Sequence, residues 1–392
     1  MEADTLPQSQ DTMTPPPSKH LLVAGHFVRT GRVGGAEQML YNLISGLSAH
    51  PIDTTLICGS RQNIAADFLA EIQPLRNTRI VEAGGPGTRF IAEQRACLQP
   101  GLCADAVLFP NYYVPPILPS RLGRVGVVIH DFQYRHFPQY FSAKKRAWLR
   151  IAQAAAIRLA DRVIVISNFV RDDAQRLYGD RFMDKFVVIP NAISWARFVH
   201  DDIGHRPCNS RYVLAVAAQY PHKNLETLIR AFALVAKTER DLQLVLCGQS
   251  YKALSGVMSR NSGVAGLIEQ LGLANRVQLT GFVDDRTLAQ WYTHAEMFAF
   301  PSLFEGFGMP PVEALSFGLP TLVARSTALP ETTMGLAQLV DNPQDAGEWA
   351  AKMREMLQAP TAYRPSQADV LRLQAEYDPT RIGGAYARAL GL

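Results

Sequence analysis

Short apolar runs alternate with helix-like stretches along most of this chain, and this alternation constrains its fold more than any other feature. The runs in the first half begin with HLLVAGHF at 20–27 and end with KFVVIPN at 185–191. The alternation stops across the polar, turn-rich stretch 192–210 and resumes with YVLAVAA at 212–218. Because continuous apolar strands separated by helices are buried on both faces, the pattern predicts parallel sheets covered by helices.

The break at 192–210 predicts two α/β domains of similar size. A chain of 392 residues, of which 47% are hydrophobic, is long enough to form two cores. We expect a disordered tail at 1–19, an amino-terminal domain at 20–195, a carboxyl-terminal domain at 196–375 and a last segment at 376–392. Ligands bind beyond the carboxyl ends of parallel strands, so two facing domains predict a binding site in the cleft between them.

Composition argues against several classes of protein. The net charge of +4 is too small to indicate a nucleic-acid-binding protein. The five cysteines are scattered without the spacing of a zinc site, which indicates reduced thiols in the cytoplasm. The proline-rich start lacks the apolar core of a signal peptide, and the sequence has no apolar run of the ~18 residues that a membrane span needs. We therefore expect a cytoplasmic protein.

The segment FPSLFEGFGMPPVEALSFGLP at 300–320 combines a flexible loop with a rigid helix start. Gly306 and Gly308 allow the backbone of the loop to approach a ligand closely. Proline is tolerated in the first helical turn, so we predict a helix that begins near Pro311. The free N–H groups of such a loop and helix start attract an anion.

Two glutamates flank this anion site, Glu305 on the loop and Glu313 in the predicted first turn of the helix. Taken singly, each is readily explained as a surface charge or as a partner of the helix dipole. Together they suit a ligand with hydroxyl groups at both ends of a phosphate, because carboxylates accept hydrogen bonds from hydroxyls. A nucleotide sugar has that chemistry: one carboxylate would bind the transferred sugar and the other the ribose.

With this spacing, the segment resembles the E-x7-E signature of retaining glycosyltransferases of family 4, the glycosyl transferases group 1 family. The resemblance extends over the chain from about residue 20 and implies the GT-B fold, in which two Rossmann-like domains face a deep cleft. It implies that Glu305 contacts the donor sugar, that Glu313 contacts the ribose, and that a last helix crosses back to the first domain. It also places the loop backbone on the donor sugar and phosphate, at Gly306, Phe307, Gly308 and Met309.

The first domain contributes two further candidates by the same resemblance. GGAEQ at 34–38 opens a predicted helix, and the family pattern assigns Gly34 and Gly35 to the donor site, although a plain tight turn is the alternative. VVIHD at 127–131 ends a predicted strand. The resemblance places His130 beside the donor sugar and the reactive centre, with Asp131 orienting it.

Lys223 is the predicted phosphate-binding cation of the second domain. A lysine at a helix start opposes the helix dipole unless an anion lies between them, and lysine is a good point-charge partner for phosphate. The family usually has an arginine about five residues earlier, where this chain has Ala218 and Gln219. Gln219, His222 and Arg325 are the candidates to replace it.

TGFVDD at 280–285 follows another predicted strand. In the family this turn holds the nucleotide base through backbone groups, which makes Gly281, Phe282 and Val283 candidates. The alternative is a plain turn with Asp284 or Asp285 capping the next helix. Other family landmarks give Ser167 and Asn191 as cleft-wall or hinge residues and Glu331 as a further donor contact.

The predicted reaction is the retaining transfer of a sugar from a nucleotide diphosphate to an acceptor hydroxyl. The version EGFGMPPVEA resembles that of mannosyl- and rhamnosyltransferases in the family, which use GDP-sugars, and this resemblance favours mannose from GDP-mannose in the synthesis of bacterial surface polysaccharide or glycolipid. A UDP-sugar donor, a sugar-nucleotide epimerase and a catalytically silent nucleotide-sugar-binding subunit remain alternatives. No Asp-x-Asp follows a predicted strand, so we expect no metal and no other cofactor.

The expected partners are the nucleotide-sugar donor and a saccharide or lipid-linked saccharide acceptor. The stretch 142–160 is basic and aromatic near its start and apolar afterwards. This pattern suits a helix lying on the anionic cytoplasmic face of the inner membrane, and equally suits an ordinary surface helix with a solvated charged end.

Overall fold

A computed structural model of the protein describes residues 18–28, 35–59, 70, 72–85, 87–200, 203–249 and 263–392. They form two α/β units, each built on one parallel sheet. Residues 1–17, most of the predicted tail, lie outside this range, and so does Gly34.

The first unit contains a sheet of seven strands within the described residues, in the order β3-β2-β1-β4-β5-β6-β7. All of its strand pairs are parallel. The strands are β1 (Lys19–Ala24), β2 (Ile52–Cys58), β3 (Thr78–Glu82), β4 (Ala106–Phe109), β5 (Arg124–Ile129), β6 (Arg162–Val165) and β7 (Phe186–Val188). The helices are α1 (Gly35–Leu47), α2 (Arg89–Leu98), α3 (Gln133–His136), α4 (Ala143–Leu159) and α5 (Asn168–Tyr178).

The second unit repeats the architecture with a six-stranded parallel sheet in the order β10-β9-β8-β11-β12-β13, counted over the same described ranges. The strands are β8 (Arg211–Val216), β9 (Leu242–Cys247), β10 (Val277–Gly281), β11 (Met297–Phe300), β12 (Thr321–Ala324) and β13 (Gln338–Val340). The helices are α6 (Leu225–Val235), α7 (Val264–Gln270), α8 (Asp285–His294), α9 (Met309–Ser316), α10 (Leu329–Thr332), α11 (Ala346–Gln358), α12 (Gln367–Glu376) and α13 (Pro379–Leu390).

The strands are apolar along their length because helices cover both faces of each sheet. In β1, for example, Leu21, Leu22 and Val23 are all completely buried, although neighbouring side chains point to opposite faces. The fold class predicted from the alternation is therefore confirmed.

In both sheets the strand order reverses beside the first strand of the unit, between β1 and β4 and between β8 and β11. At such a point the neighbouring loops run in opposite directions and leave a crevice outside the carboxyl ends of the strands. Open parallel sheets bind ligands in this crevice. The two crevices open into one cavity between the units.

The last helix, α13, packs on α1 of the first unit. A β-carbon on Gly46 would lie 1.9 Å from the Pro379 carbonyl oxygen, so only glycine allows the two helices to approach this closely. Ile382, Tyr386 and Leu390 are buried in the core of the first unit. The chain therefore returns to its first domain after completing the second.

Helices able to cross a membrane are absent from the part of the chain that the structure describes, since none there is both long enough and apolar enough.

Candidate active site

A cavity of about 710 Å³ lies between the two units, at the carboxyl ends of both sheets. We call its lining residues from Gly35 to Asn191 the amino-terminal wall and those from Arg197 to Glu313 the carboxyl-terminal wall. The cavity collects most of the candidates that the sequence predicts: Gly35, His130, Lys223, Phe282, Val283, Glu305, Gly306, Phe307, Gly308, Met309 and Glu313. Gln219 and Gly281 are described but do not line it.

Glu305 and Lys223 form an ion pair on the carboxyl-terminal wall. The Lys223 Nζ lies 2.5 Å from Glu305 Oε1, and both side chains are more than four-fifths buried. The Glu305 backbone N–H donates to Thr327 Oγ1 at 2.9 Å. Lys223 ends a short 3₁₀ turn two residues before α6, and the carboxylate of Glu305 is the anion beside it. The pair places a cation and a hydrogen-bond acceptor side by side.

The glycines of the loop allow the two units to meet. A β-carbon on Gly306 would lie 2.0 Å from the His130 carbonyl oxygen, so any side chain there would push the units apart. The Ser167 hydroxyl donates to the Gly306 carbonyl at 2.7 Å. Gly308 has a positive φ of 88°, which glycine adopts without strain. The sequence predicts close approach of a ligand at this loop, and the structure adds close approach of the other unit.

Glu313 lies deeper than the sequence predicts. Helix α9 begins at Met309, before the two prolines, so Glu313 falls in the second turn and not in the first. It is 4% exposed, its Oε2 accepts from the Tyr292 hydroxyl at 2.9 Å, and burial raises the pKa of its carboxyl. The interpretation of Glu313 as a partner of the helix dipole is therefore wrong. Side chains from outside α9 hold its carboxylate at the cavity.

Arg197 joins Glu313 to Asp285. Its Nη2 lies 3.2 Å from Asp285 Oδ1 and 3.6 Å from Glu313 Oε1, and its guanidinium stacks over Phe198. Sequence reasoning misses Arg197 because the residue belongs to the irregular stretch 192–210. Only its place between two predicted domains could have drawn attention to it.

His130 faces this wall from the end of β5. Its Nε2 lies 2.9 Å from the Pro110 carbonyl oxygen, which only an N–H can satisfy, and burial lowers the pKa of its imidazole. The ring is then neutral, with Nδ1 as an acceptor. Asp131 was expected to orient His130, but Pro110 does so, and Asp131 Oδ1 accepts from the Gln133 backbone N–H at 2.9 Å.

The proposed replacements for the family's arginine do not bring a free cation to the cavity. The Gln219 backbone N–H donates to the Gln249 carbonyl. His222 is a neutral ring, because burial and the nearby Lys223 lower its pKa to about 4. Arg325 pairs with Asp341 at an exposed position.

Only some residues of the turn at 280–285 face the cavity. Gly281 ends β10 and accepts from the Gly248 backbone N–H, whereas Phe282 and Val283 reach the cavity. Asp284 caps α8 by accepting from the Thr287 backbone N–H at 2.7 Å. Asp285, the other candidate cap, faces the cavity instead.

Glu331 bridges the two units. Its Oε1 accepts from the Asn168 backbone N–H at 2.8 Å, and its Oε2 from the Phe169 backbone N–H at 3.2 Å. It therefore caps α5 of the opposite unit and is not among the residues that line the cavity. Asn191, in contrast, lines the cavity and is 6% exposed. Its Oδ1 has no hydrogen-bond partner within the described ranges.

Two family models match the chain in succession. Residues 33–197 match the model described as Glycosyltransferase Family 4, and residues 200–369 match Glycosyl transferases group 1. Each model falls on one of the two units described above. The chain belongs to glycosyltransferase family 4.

Curated relatives of this chain include O-antigen chain mannosyltransferases. Mannosyltransferase B of Escherichia coli is 28% identical over 257 residues, which are 64% of each chain. RfbU of Salmonella typhimurium is 25% identical over 236 residues, 60% of this chain and 62% of the relative. The chain thus spans less than two thirds of the length of these relatives.

Solved structures share the fold over nearly the whole length. Sucrose-phosphate synthase from Thermosynechococcus elongatus superposes with a TM-score of 0.73 at 20% identity, over 94% of this chain and 98% of that one. HepE of Anabaena in complex with UDP-glucose gives 0.69 at 19% identity, over 95% and 99%. WaaG, a glycosyltransferase involved in lipopolysaccharide biosynthesis, gives 0.66 at 14% identity, over 94% and 99%. The predicted GT-B architecture is confirmed.

Proposed function

We propose that this protein is a retaining mannosyltransferase that uses GDP-mannose and acts in the synthesis of a bacterial surface polysaccharide or glycolipid. The observation that carries the proposal is the carboxyl-terminal wall, where two buried carboxylates flank a glycine loop beside a lysine. The mannosyltransferase names of the curated relatives support the choice of sugar.

Each group on this wall has a role in donor binding. Glu313 accepts hydrogen bonds from the ribose hydroxyls, with Arg197 and Tyr292 fixing its carboxylate. Lys223 neutralises the diphosphate, and Glu305 accepts from a hydroxyl of the transferred sugar. A bound donor therefore exchanges the contact between Lys223 and Glu305 for contacts of each with the donor.

The transfer step needs stabilisation of the charge that develops on the leaving diphosphate. The bond between the anomeric carbon and the diphosphate oxygen breaks, the acceptor oxygen bonds to that carbon from the same face, and the acceptor proton passes to the leaving phosphate oxygen. Lys223 and the loop amides stabilise the departing charge. Neutral His130, across the cavity, presents Nδ1 to the sugar.

We also propose that transfer needs no metal ion, because Lys223 supplies the positive charge at the diphosphate. Chelation with EDTA should leave the rate unchanged. A rate that falls with EDTA and returns with Mg²⁺ or Mn²⁺ would contradict this part of the proposal.

The experiment that tests the function combines binding with product analysis. GDP should raise the thermal midpoint more than UDP or ADP at equal concentration, since a ligand stabilises the folded state according to its occupancy. GDP-mannose with cell-envelope extract should give an α-mannoside. An isomerised free donor would indicate an epimerase, and binding without any product would indicate a silent subunit.

A UDP-sugar donor is the second candidate, and the similarity to HepE, which is solved with UDP-glucose, favours it. A larger thermal shift with UDP than with GDP would select it.

Contact with an anionic membrane is a further part of the proposal. Helix α4 exposes Lys144, Arg150 and Ile151 together, and Ile151 is 70% exposed. Basic and apolar side chains on one helix suit the surface of anionic lipid. Sedimentation with vesicles containing phosphatidylglycerol, compared with phosphatidylcholine alone, tests it.

A further inference from the structure

Three side chains of α4 line the cavity at intervals of four residues: Lys145, Leu149 and Gln153. Residues four apart lie on one face of a helix, so this face forms a continuous strip of the amino-terminal wall. The strip runs from an exposed cation, Lys145, through a buried leucine to Gln153, which is 3% exposed. Its ends lie about 12 Å apart along the helix axis.

The inner end of the strip is fixed beside the residues that face the donor. Gln153 Nε2 donates to the Asp131 carbonyl at 3.1 Å, and this contact sets the orientation of the amide because only its NH₂ group can donate. Gln153 Oε1 then has no hydrogen-bond partner among the residues that the structure describes. A buried acceptor without a donor is costly, and a hydroxyl group brought into the cavity would satisfy it.

The outer end of the strip carries an unpaired charge. Arg197 and Lys223, the other lysine and arginine side chains on the part of the lining that the structure describes, both contact carboxylates. Lys145 has no carboxylate partner within the described ranges; its Nζ lies 5.2 Å from the centroid of the Phe141 ring. The amino-terminal wall therefore presents a free cation at its mouth and a free acceptor at its inner end.

We propose that this strip of α4 binds the acceptor, and that the acceptor is a saccharide carrying a phosphate or diphosphate group. Gln153 accepts from a hydroxyl near the reacting one, Leu149 contacts the sugar face, and Lys145 binds the phosphate. The distance between the two ends suits a saccharide rather than a small alcohol. The inference rests on the proposed function and names the substrate class of its second subsite.

Matched acceptors test the charge. We would compare mannobiose 1-phosphate, methyl mannobioside, and mannobiose linked through a diphosphate to a phytanyl chain. Both charged acceptors should exceed the neutral one in kcat/KM by about 10-fold, the effect of one good ionic contact. A higher kcat/KM for the lipid-linked compound alone would assign the phosphate to a lipid carrier. Equal kcat/KM values for the two charged compounds would assign it to a soluble sugar phosphate.

Variants locate the contact. Lys145→Met should reduce the preference for charged acceptors to near 1, whereas Lys237→Met, at an exposed lysine of the second unit that does not line the cavity, should leave it intact. Gln153→Met should raise the KM of every acceptor while the thermal shift with GDP persists.

The outcomes separate this inference from the proposed function. Transfer without any preference for charged acceptors, or equal effects of Lys237→Met and Lys145→Met, overturns the inference alone. Loss of the GDP shift in Lys145→Met would assign the lysine to the donor diphosphate and also overturn it. A parent protein that neither binds a nucleoside diphosphate nor transfers sugar overturns both.

Discussion

The two walls of the cavity differ in how far their polar groups are already paired. On the carboxyl-terminal wall, Lys223 contacts Glu305, and Glu313 is held by Tyr292 and Arg197. On the amino-terminal wall, Gln153 and Asn191 each retain a buried oxygen without a partner among the described residues. The carboxyl-terminal wall therefore pairs its carboxylates with cations, although Arg197 Nε has no partner in the described part of the chain, and the amino-terminal wall leaves acceptors open.

This difference fits the demands of the two proposed substrates. A phosphate-bearing donor needs charges fixed before it arrives, because preorganised groups lose little free energy on reorganisation. An acceptor is selected mainly by hydroxyl positions, which open amide oxygens can recognise. The proposed function thus places the chemistry on the paired wall and the selectivity for the acceptor on the unpaired one, and the variants below test this division.

The largest effect is expected from Glu305→Gln. The neutral amide no longer pairs with Lys223 and accepts more weakly from the sugar hydroxyl than a carboxylate does, so transfer should fall by about 10²–10³-fold. Binding of GDP should change little. Initial rates and thermal shifts measure the two quantities, with the exposed Glu226→Gln as the control. Parent-like transfer would remove Glu305 from the site.

Glu313→Ala should weaken nucleotide binding by about 10–100-fold, the range for a lost hydrogen bond to a charged group. Titration calorimetry with GDP measures it. Glu313→Gln, which can still accept from Tyr292, should lose less affinity than the alanine variant. Unchanged affinity in both would show that the ribose lies elsewhere.

A pH effect is expected behind the amino-terminal wall, in α2, where Arg89 lies 5.7 Å from the ring centroid of the lining residue Tyr112. Burial of Glu93, opposed only in part by Arg89, raises the pKa of its carboxyl to about 7. The folded state therefore holds a proton that the unfolded state has released, and stability falls as the pH rises from about 5 to 7, by ~2 kcal/mol. Glu93→Gln should flatten this slope in urea unfolding curves. The same slope in parent and variant would contradict the assignment.

The smallest effect is expected at the bridge between the units. Glu331→Ala removes the cap of α5, which should cost about 1 kcal/mol and lower the thermal midpoint by roughly 2–4 °C. Glu331→Gln should retain part of the cap. Differential scanning calorimetry distinguishes the two variants, and an unchanged midpoint in both would show that the bridge adds no stability.

Much of the fold follows from the sequence, because runs such as VGVVIHD and MFAFPS are apolar without alternation and so predict buried parallel strands. Motif spacing also predicts that Gly306, Gly308, Glu305 and Lys223 lie at strand ends, and the structure places all four on the cavity lining. The helix start at Met309 was missed because the two prolines suggested a later beginning.

The rest of the site depends on long-range contacts that spacing does not encode. Arg197 reaches Glu313 from an irregular segment, and Tyr292 reaches it from α8. The family resemblance predicts Glu331 as a donor contact, whereas in the structure its carboxylate accepts from the backbone at the start of α5 in the other unit. Such partners come together only when the two units pack against each other.

A crystal structure with GDP would show where the nucleotide lies in the cavity. We expect ribose hydroxyls within hydrogen-bond distance of the Glu313 carboxylate and the terminal phosphate beside Lys223, on the carboxyl-terminal wall. A nucleotide whose diphosphate lies against α4, or outside the cavity altogether, would contradict this expectation.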